Sequence, residues 1–200
     1  MIDVQIRKVI DKPLTLIAKL ALQAGLTANK LSFIGFGLGV IAALSIITGL
    51  FAAALIFILL SRLCDGLDGT LARLTKPTDQ GAFLDIALDF LFYSLIPLSF
   101  AIYNPDWALP AAFLIFSFVG TGASFLAYAI IAEKTKIKEK EGRRKGFYYL
   151  GGLTEGAETI AILCAFCLFP AYFPYLAYGF GCLCLLSTAL RIHQGYHDFN

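Results

Sequence analysis

Charged side chains are scarce in this chain of 200 residues. Asp, Glu, Lys and Arg make up 15% of it, whereas soluble domains contain about a quarter. Hydrophobic residues account for 58% of the chain, and the mean hydropathy is +0.76. This composition excludes an ordinary soluble domain and indicates an integral membrane protein.

Ligands for soft metals are also few. The chain has two histidines, both near the C-terminus, and five cysteines. Cys164 with Cys167 and Cys182 with Cys184 are closely spaced pairs, but both lie within apolar segments and distant in sequence from a histidine partner. We expect these cysteines to be buried hydrophobic side chains, so the sequence predicts neither a zinc nor a redox site.

Six segments with few or no charges follow one another, each about as long as a bilayer requires. The second reaches this length only when it is extended through an acidic motif to Leu74. The segments are 31–48, 50–74, 83–103, 107–132, 153–169 and 172–190. We therefore predict an all-α integral membrane protein, a single domain over residues 1–200, with six transmembrane helices in residues 30–192.

Lys and Arg are absent from the loops at 48–49, at 104–106 and around Pro170, whereas the opposite loops are basic. One of these basic loops holds a cluster of seven Lys and Arg between residues 134 and 145. Basic loops stay on the cytoplasmic side, so both termini are expected there, in a multi-pass protein of the cell (inner) membrane. The basic face suits anionic membrane lipids, and no motif for nucleic acid accompanies it.

The N-terminal segment, residues 2–24, mixes apolar residues such as Ile6 and Val9 with charged ones such as Arg7 and Lys8. This pattern predicts an amphipathic helix in the membrane interface on the cytoplasmic side, ahead of the transmembrane bundle. Lys19 interrupts its longest apolar stretch, which argues against a signal peptide.

Two of the six segments contain paired aspartates. Asp65 and Asp68 are three residues apart and Asp85 and Asp89 are four apart, so each pair shares one face of its helix. A polar turn around Pro77 predicts that the two helices are antiparallel neighbours. The four carboxylates then meet at one depth, about 12 to 18 Å below the turn, in a cavity that opens to the cytoplasm.

Charges at membrane depth are rarely structural, and four carboxylates together need cations. Oxygen ligands favour Mg²⁺, Mn²⁺ or Ca²⁺. Pairing of the carboxylates with Arg62 and Arg73 is the structural alternative, but two arginines cannot neutralise four aspartates.

Small residues recur beside the acidic face at Gly66, Gly69 and Ala72. They favour either close helix packing or a bare surface on which a nucleobase or ribose could lie. Arg73 could then hold a phosphate oxygen, so the pattern indicates a site for a nucleoside diphosphate group.

Residues 65–89 read D-x2-D-G-x2-A-R-x7-G-x3-D-x3-D. This motif resembles the signature of the CDP-alcohol phosphatidyltransferase family at every defining position. Residues 26–32, with Asn29, are similar to the family's T-P-N-x-L-T motif, although Ala28 stands where proline is usual.

The resemblance implies transfer of a substituted phosphate group from a CDP-alcohol, commonly CDP-diacylglycerol, to a second alcohol in phospholipid biosynthesis, with release of CMP. It implies Mg²⁺ or Mn²⁺, as two ions, and we also expect a homodimer. Asp65, Asp68 and Asp85 would be metal ligands, and Asp89 the catalytic base or a second-metal ligand. The implied nucleotide-binding residues are Asn29, Asp68, Gly69, Ala72, Arg73 and Gly81.

The acceptor alcohol is expected near the fifth segment. Glu155 and Glu158 are three residues apart and follow Tyr148 and Tyr149. Together they could bind a polyol or an amino alcohol, the latter by charge and cation–π contact. The alternative is that the two glutamates pair with basic residues at 143–145.

Two other functions fit an acidic intramembrane site. A UbiA-like prenyltransferase would need the motif N-D-x2-D-x3-D, which residues 64–68 do not supply. A divalent-cation transporter would need acidic or polar residues toward both faces of the membrane, whereas here they lie toward the cytoplasm.

Overall fold

The computed structural model of the chain describes residues 2–135, 154 and 156–199, with side chains from residue 12 onward. All regular structure in these residues is helical, as predicted. The helices are α1 (Ile2–Gln23), α2 (Ala28–Ile47), α3 (Phe51–Leu74), α4 (Asp79–Tyr103), α5 (Ala108–Thr135), α6 (Gly156–Leu168) and α7 (Phe173–Asp198). Short 3₁₀ turns at Pro105–Trp107 and Pro170–Tyr172 precede α5 and α7.

Four helical stretches in the described residues are long and apolar enough to cross a membrane: Ala28–Ile47, Asp79–Tyr103, Pro105–Thr135 and Pro170–Asp198. Large apolar side chains such as Phe83, which is 70% exposed, cover their outer surfaces. The chain is therefore a membrane protein. α3 has 24 residues but carries the charges of the acidic motif, and α6 has 13 residues, so the predicted count of six spans is not confirmed.

Threonine caps begin α2 and α4, the second of which carries Asp85 and Asp89. The Thr27 hydroxyl accepts a hydrogen bond from the Lys30 amide at the start of α2, and the Thr78 hydroxyl accepts one from the Gly81 amide at the start of α4. These caps satisfy amides that have no partner within the helix. The polar turn between α3 and α4 lies at residues 75–78, as predicted.

α2 packs along both α3 and α4, whereas α3 and α4, each described in full, hardly pack directly against each other. The two aspartate helices, predicted to be antiparallel neighbours, therefore meet through their side chains across a gap and not by close backbone packing. Gly35 and Gly39 make the arrangement possible. A Cβ atom at Gly35 would lie 3.1 Å from Cys64 Cβ on α3, and one at Gly39 would lie 2.6 Å from a Phe92 ring carbon on α4. Small residues spaced by four let membrane helices approach closely in this way.

An aromatic cluster surrounds Phe100 at the end of α4 opposite the polar turn. The Phe100 ring stacks on Phe173 with centroids 4.5 Å apart, and Phe51 and Phe166 each lie at 5.8 Å. Because Phe51 and Phe173 follow directly after loops that lack Lys and Arg, the cluster places these loops at one end of the bundle, as the charge pattern predicts. The side of the membrane that this end faces stays a prediction.

α1 forms as predicted within residues 2–24 and continues through Pro13. Its described side chains Leu14 and Ala18 pack with Leu67 and Leu71 on α3 and with Leu31 on α2. α1 therefore supports the back of the helix that carries Asp65 and Asp68. Its predicted position in the membrane interface is not tested by these contacts.

Candidate cation and nucleotide site

Three of the predicted aspartates converge. Asp65 and Asp68 of α3 and Asp85 of α4 each offer a carboxylate oxygen, and these oxygens lie within 4.8 Å of one another. They bridge the gap between two helices that hardly touch. Asp68 is 5% exposed, and the Ser32 hydroxyl of α2 donates a 2.5 Å hydrogen bond to its Oδ2 atom.

The chemistry of this cluster fits a hard divalent cation. All three donors are carboxylates, the ligands that Mg²⁺, Mn²⁺ and Ca²⁺ prefer. The cluster lines a cavity of about 10 Å³, close to the room that a single water molecule occupies. The three aspartates could therefore hold one ion.

Asp89 lies on the wall of the same small cavity but is not part of this three-carboxylate cluster. Arg62 Nη1 donates to Asp89 Oδ1 at 2.7 Å, and the Tyr93 hydroxyl lies 3.5 Å from Asp89 Oδ2. Arg62 Nη1 also lies 3.7 Å from Asp65 Oδ2. The structural alternative of arginine pairing thus holds for Arg62. Arg73 instead donates to the Thr70 hydroxyl, at 2.9 Å.

Arg62 is held firmly. Its side chain is 9% exposed, and its guanidinium carbon lies 3.9 Å from the centroid of the Phe92 ring. Nη2 donates to the Ser61 hydroxyl at 3.3 Å, and buried Nε has no hydrogen-bond partner among the described residues. The sequence predicts Arg62 only as a possible counter-ion of the carboxylates. Its position three residues before Asp65, on the same helix face, is the signal that places it in the site.

A larger cavity of about 470 Å³ lies beside the cation cluster. Ser32, Asp68 and Asp85 line both cavities, so the two adjoin. All of the predicted nucleotide-binding residues are on the wall of the larger one: Asn29, Asp68, Gly69, Ala72, Arg73 and Gly81. The structure thus brings the complete predicted set together on the wall of one cavity.

Two glycines keep this larger cavity open. A Cβ atom at Gly81 would lie 3.3 Å from Asn29 Oδ1, and one at Gly69 would lie 3.5 Å from Arg73 Nη1. Gly66, however, faces Leu14 of α1 and does not line the cavity. A spacing of three falls short of a full helical turn, so the small residues drift around α3. The predicted stripe therefore divides into helix packing at Gly66 and cavity wall at Gly69 and Ala72.

Several cavity residues were not assigned from the sequence. Ser32 contacts Asp68, and Lys76 and Thr78 lie on the larger cavity's wall, within the turn between α3 and α4. The basic charge of Lys76, which lies within the motif between Arg73 and Gly81, was a usable signal for phosphate binding. Ser32 could be identified only from the packing of α2 against α3.

Three of the four predicted acceptor residues lie outside the described residues: Tyr148, Tyr149 and Glu155. Glu158 is partly buried in the first turn of α6 and lines neither of the two cavities above. The acceptor site stays a prediction.

Two curated proteins are similar to this chain. It is 48% identical over 190 residues to a protein of Escherichia coli K12 named inner membrane protein YnjF. This match covers 94% of this chain and 87% of that protein. It is 37% identical over 95 residues to a phosphatidylcholine synthase of Mesorhizobium japonicum, a match that covers 42% of this chain and 31% of that protein.

The model of the CDP-alcohol phosphatidyltransferase family matches residues 25–190, which include α2 to α6, most of α7 and every residue of the two cavities. With its carboxylate cluster beside a cavity lined by the motif residues, the chain belongs to the CDP-alcohol phosphatidyltransferase family.

Proposed function

We propose that this enzyme transfers a phosphatidyl group from CDP-diacylglycerol to an alcohol acceptor, in phospholipid biosynthesis, and that the reaction requires Mg²⁺ or Mn²⁺. The observation that carries the proposal is the shared wall of the two cavities. A carboxylate cluster suited to a cation adjoins a space lined by the motif residues and one arginine, as a diphosphate linkage needs. Family membership favours this reaction over prenyl transfer or cation transport.

In the proposed complex, the cytidine diphosphate lies in the larger cavity. Gly69, Ala72 and Gly81 leave room for the nucleoside next to Asn29, and Arg73 holds phosphate oxygens through its planar fork. Lys76 adds a positive charge at the same wall. The phosphates then point toward Asp68 and Asp85, which belong to both cavities.

Asp65, Asp68 and Asp85 would hold the cation, and the cation would supply positive charge to neutralise the phosphate oxygens. The acceptor oxygen forms a bond to the phosphorus atom that carries the diacylglycerol, and the bond from that phosphorus to the bridging oxygen of CMP breaks. Asp89 takes the proton of the acceptor hydroxyl. The products are a phosphodiester lipid and CMP.

The acceptor is proposed to be a small alcohol. The similarity to a phosphatidylcholine synthase favours an amino alcohol over a polyol as the first candidate. Glu155 and Glu158, with Tyr148 and Tyr149, are proposed to bind it. If so, Glu158→Gln weakens acceptor use and leaves CDP-lipid binding intact. Loss of thermal stability with an unchanged acceptor KM would instead indicate that Glu158 has a structural role.

The site is proposed to open to the cytoplasm of a cell whose inner membrane holds the protein, because the basic loops lie at the aspartate end. The name of the YnjF relative supports this membrane. A homodimer is also expected.

The test is CMP release from CDP-diacylglycerol by the purified protein, with and without Mn²⁺, across a panel of acceptor alcohols. Asp65→Asn, Asp68→Asn and Asp85→Asn should each lower turnover at least about a hundredfold, because a cation contributes several kcal/mol and each tenfold in rate is about 1.4 kcal/mol. Asp106→Asn, an exposed acid at the opposite end of the bundle, is the matched control and should keep full activity. Absence of CMP release with every acceptor would overturn the proposal.

A further inference from the structure

The two histidines of the chain lie together near the C-terminal end of α7. His193 and His197 are four residues apart, so they share one face of the helix. Both side chains are exposed, and their ring centroids lie 4.6 Å apart with the ring planes at 75°. The described residues give neither imidazole a hydrogen-bond or ion-pair partner. The ring nitrogens are therefore available to a ligand from solvent.

The separation of the two rings is that of two imidazoles on one metal ion. A ring nitrogen binds Zn²⁺ and similar ions at about 2.0 to 2.1 Å, which places the ring centroid about 3.2 Å from the ion. Two rings on one ion then have centroids about 4.5 Å apart at a right angle and about 5.2 Å apart at a tetrahedral angle. The observed 4.6 Å corresponds to the right angle. Square-planar and tetragonal Cu²⁺ and Ni²⁺ have this angle between neighbouring ligands.

From this geometry we propose that His193 and His197 together bind one divalent transition-metal ion of the Cu²⁺ or Ni²⁺ kind. Because both side chains are exposed, water fills the remaining positions around the ion. Histidines at this spacing on a helix supply two ligands to the metal in other proteins. The site is chemically distinct from the carboxylate cluster, whose oxygen ligands suit harder cations. The inference goes beyond the proposed function and does not depend on it.

The position of the pair on α7 also favours a cation. The helix ends at Asp198, and the last carbonyl groups of a helix carry a partial negative charge. Arg191 is the one Lys or Arg on α7, and it is turned toward α5, where it donates to the Thr121 carbonyl and the Ser124 hydroxyl. A bound ion is therefore attracted by the end of the helix and faces no basic side chain of α7.

The test uses Cu²⁺ alone as the probe, on the full-length protein in detergent and without a polyhistidine tag. Excess Mg²⁺ is present to compete at the carboxylate cluster. Paramagnetic resonance counts the imidazole nitrogens on the bound ion, and we expect two in the wild type and one in His193→Gln and in His197→Gln. Each single variant should bind Cu²⁺ at least about tenfold more weakly, because loss of even an outer-shell partner of a metal has an effect of this size.

A matched control keeps two histidines but moves one of them. In the double variant Ile192→His/His193→Gln, the histidines are five residues apart and about 140° apart around the helix. Ile192 is 62% exposed, so its replacement should not disturb the fold. This variant should bind Cu²⁺ no more tightly than the single variants. Binding as tight as in the wild type would overturn the proposal.

Fewer than two imidazole nitrogens on Cu²⁺ in the wild type would also overturn the proposal, since the rings would then contact only each other. Cu²⁺ binding is measured without substrate. A failure of CMP release therefore rejects the proposed function alone, and the comparison of the histidine variants remains decisive for this site.

Discussion

At the scale of single residues, Ser32 connects the helix that supports the site with the site itself. Its hydroxyl lies 2.5 Å from Asp68 Oδ2 and 3.2 Å from the Ala28 carbonyl. A hydroxyl has one hydrogen to donate, and the charged acceptor at the shorter distance is favoured. The hydrogen bond then orients the Asp68 carboxylate, which is one of the three in the cation cluster.

Ser32→Ala should therefore weaken Mn²⁺ binding by about tenfold, because a hydrogen bond to a charged group contributes about 1.5 to 3 kcal/mol. Ser32→Thr, which keeps the hydroxyl, is the control and should retain most of the affinity. Titration of Mn²⁺ against CMP release gives both values. Equal Mn²⁺ requirements in wild type and Ser32→Ala would show that the bond does not orient Asp68.

Arg73 differs from Arg62 in being exposed, at the end of α3, with the Thr70 hydroxyl as its partner. Arg73→Lys should raise KM for the CDP-lipid by about tenfold, because an ammonium cannot hold two phosphate oxygens in a planar fork and a charged hydrogen bond contributes about 1.5 kcal/mol or more. Binding of CDP, measured by calorimetry, separates this effect from catalysis. Unchanged nucleotide affinity would assign Arg73 a structural role.

At the scale of secondary-structure elements, α2 determines how the site is assembled. It contacts both aspartate helices through residues that have no side chain, and its Ser32 contacts the carboxylates. α2 therefore holds α3 and α4 at a separation that the aspartates can bridge. The spacing of the glycines on α2 determines this separation more than the apolar character of the helix does.

Two glycines on α2 allow a controlled test of this close packing. A Cβ atom at Gly39 would lie 2.6 Å from the Phe92 ring, whereas one at Gly37 would have nothing within 4 Å. Gly39→Ala should destabilise the protein by about 1 to 3 kcal/mol through overpacking. Gly37→Ala should be neutral or slightly stabilising, since alanine has the higher helix propensity. Thermal unfolding in detergent compares the two, and equal melting temperatures would contradict close packing at Gly39.

At the scale of the whole molecule, the bundle has two chemically different ends. The end around Phe100 is aromatic, and its loops lack Lys and Arg. The other end carries the carboxylates, Arg73 and Lys76, so a water-soluble nucleotide has to approach from there. Because the two ends differ in this way, the proposed reaction would take place at one side of the membrane only.

Reporter fusions test the orientation. Green fluorescent protein joined after residue 200 should fluoresce in bacteria, because the C-terminus is expected in the cytoplasm. Alkaline phosphatase joined at 104–106 should be active, since this loop is expected outside. The reverse pattern at both positions would place the carboxylate site on the outer side and remove its access to cytoplasmic nucleotides.

Local regularities in the sequence were sufficient for much of this description. The period of the helix puts Asp65 with Asp68 and Asp85 with Asp89, and Pro77 ends α3 near the polar turn. All six residues that the family resemblance implies for nucleotide binding lie on the wall of the larger cavity, together with others that it does not imply. These placements could be predicted because they depend on chain neighbours or on a pattern that spans a short segment.

Contacts between helices were decided only by the tertiary structure. The sequence could not determine that α2 separates α3 from α4, that Gly66 faces α1, or that Arg62 bonds to Asp89 across the bundle in preference to Asp65 on its own helix. Each depends on the rotation and separation of helices that are distant in the chain. The close fit of small residues such as Gly39 against large ones such as Phe92 sets this rotation and separation. The sequence alone thus determined which groups are available for catalysis, and helix packing decided which of them meet.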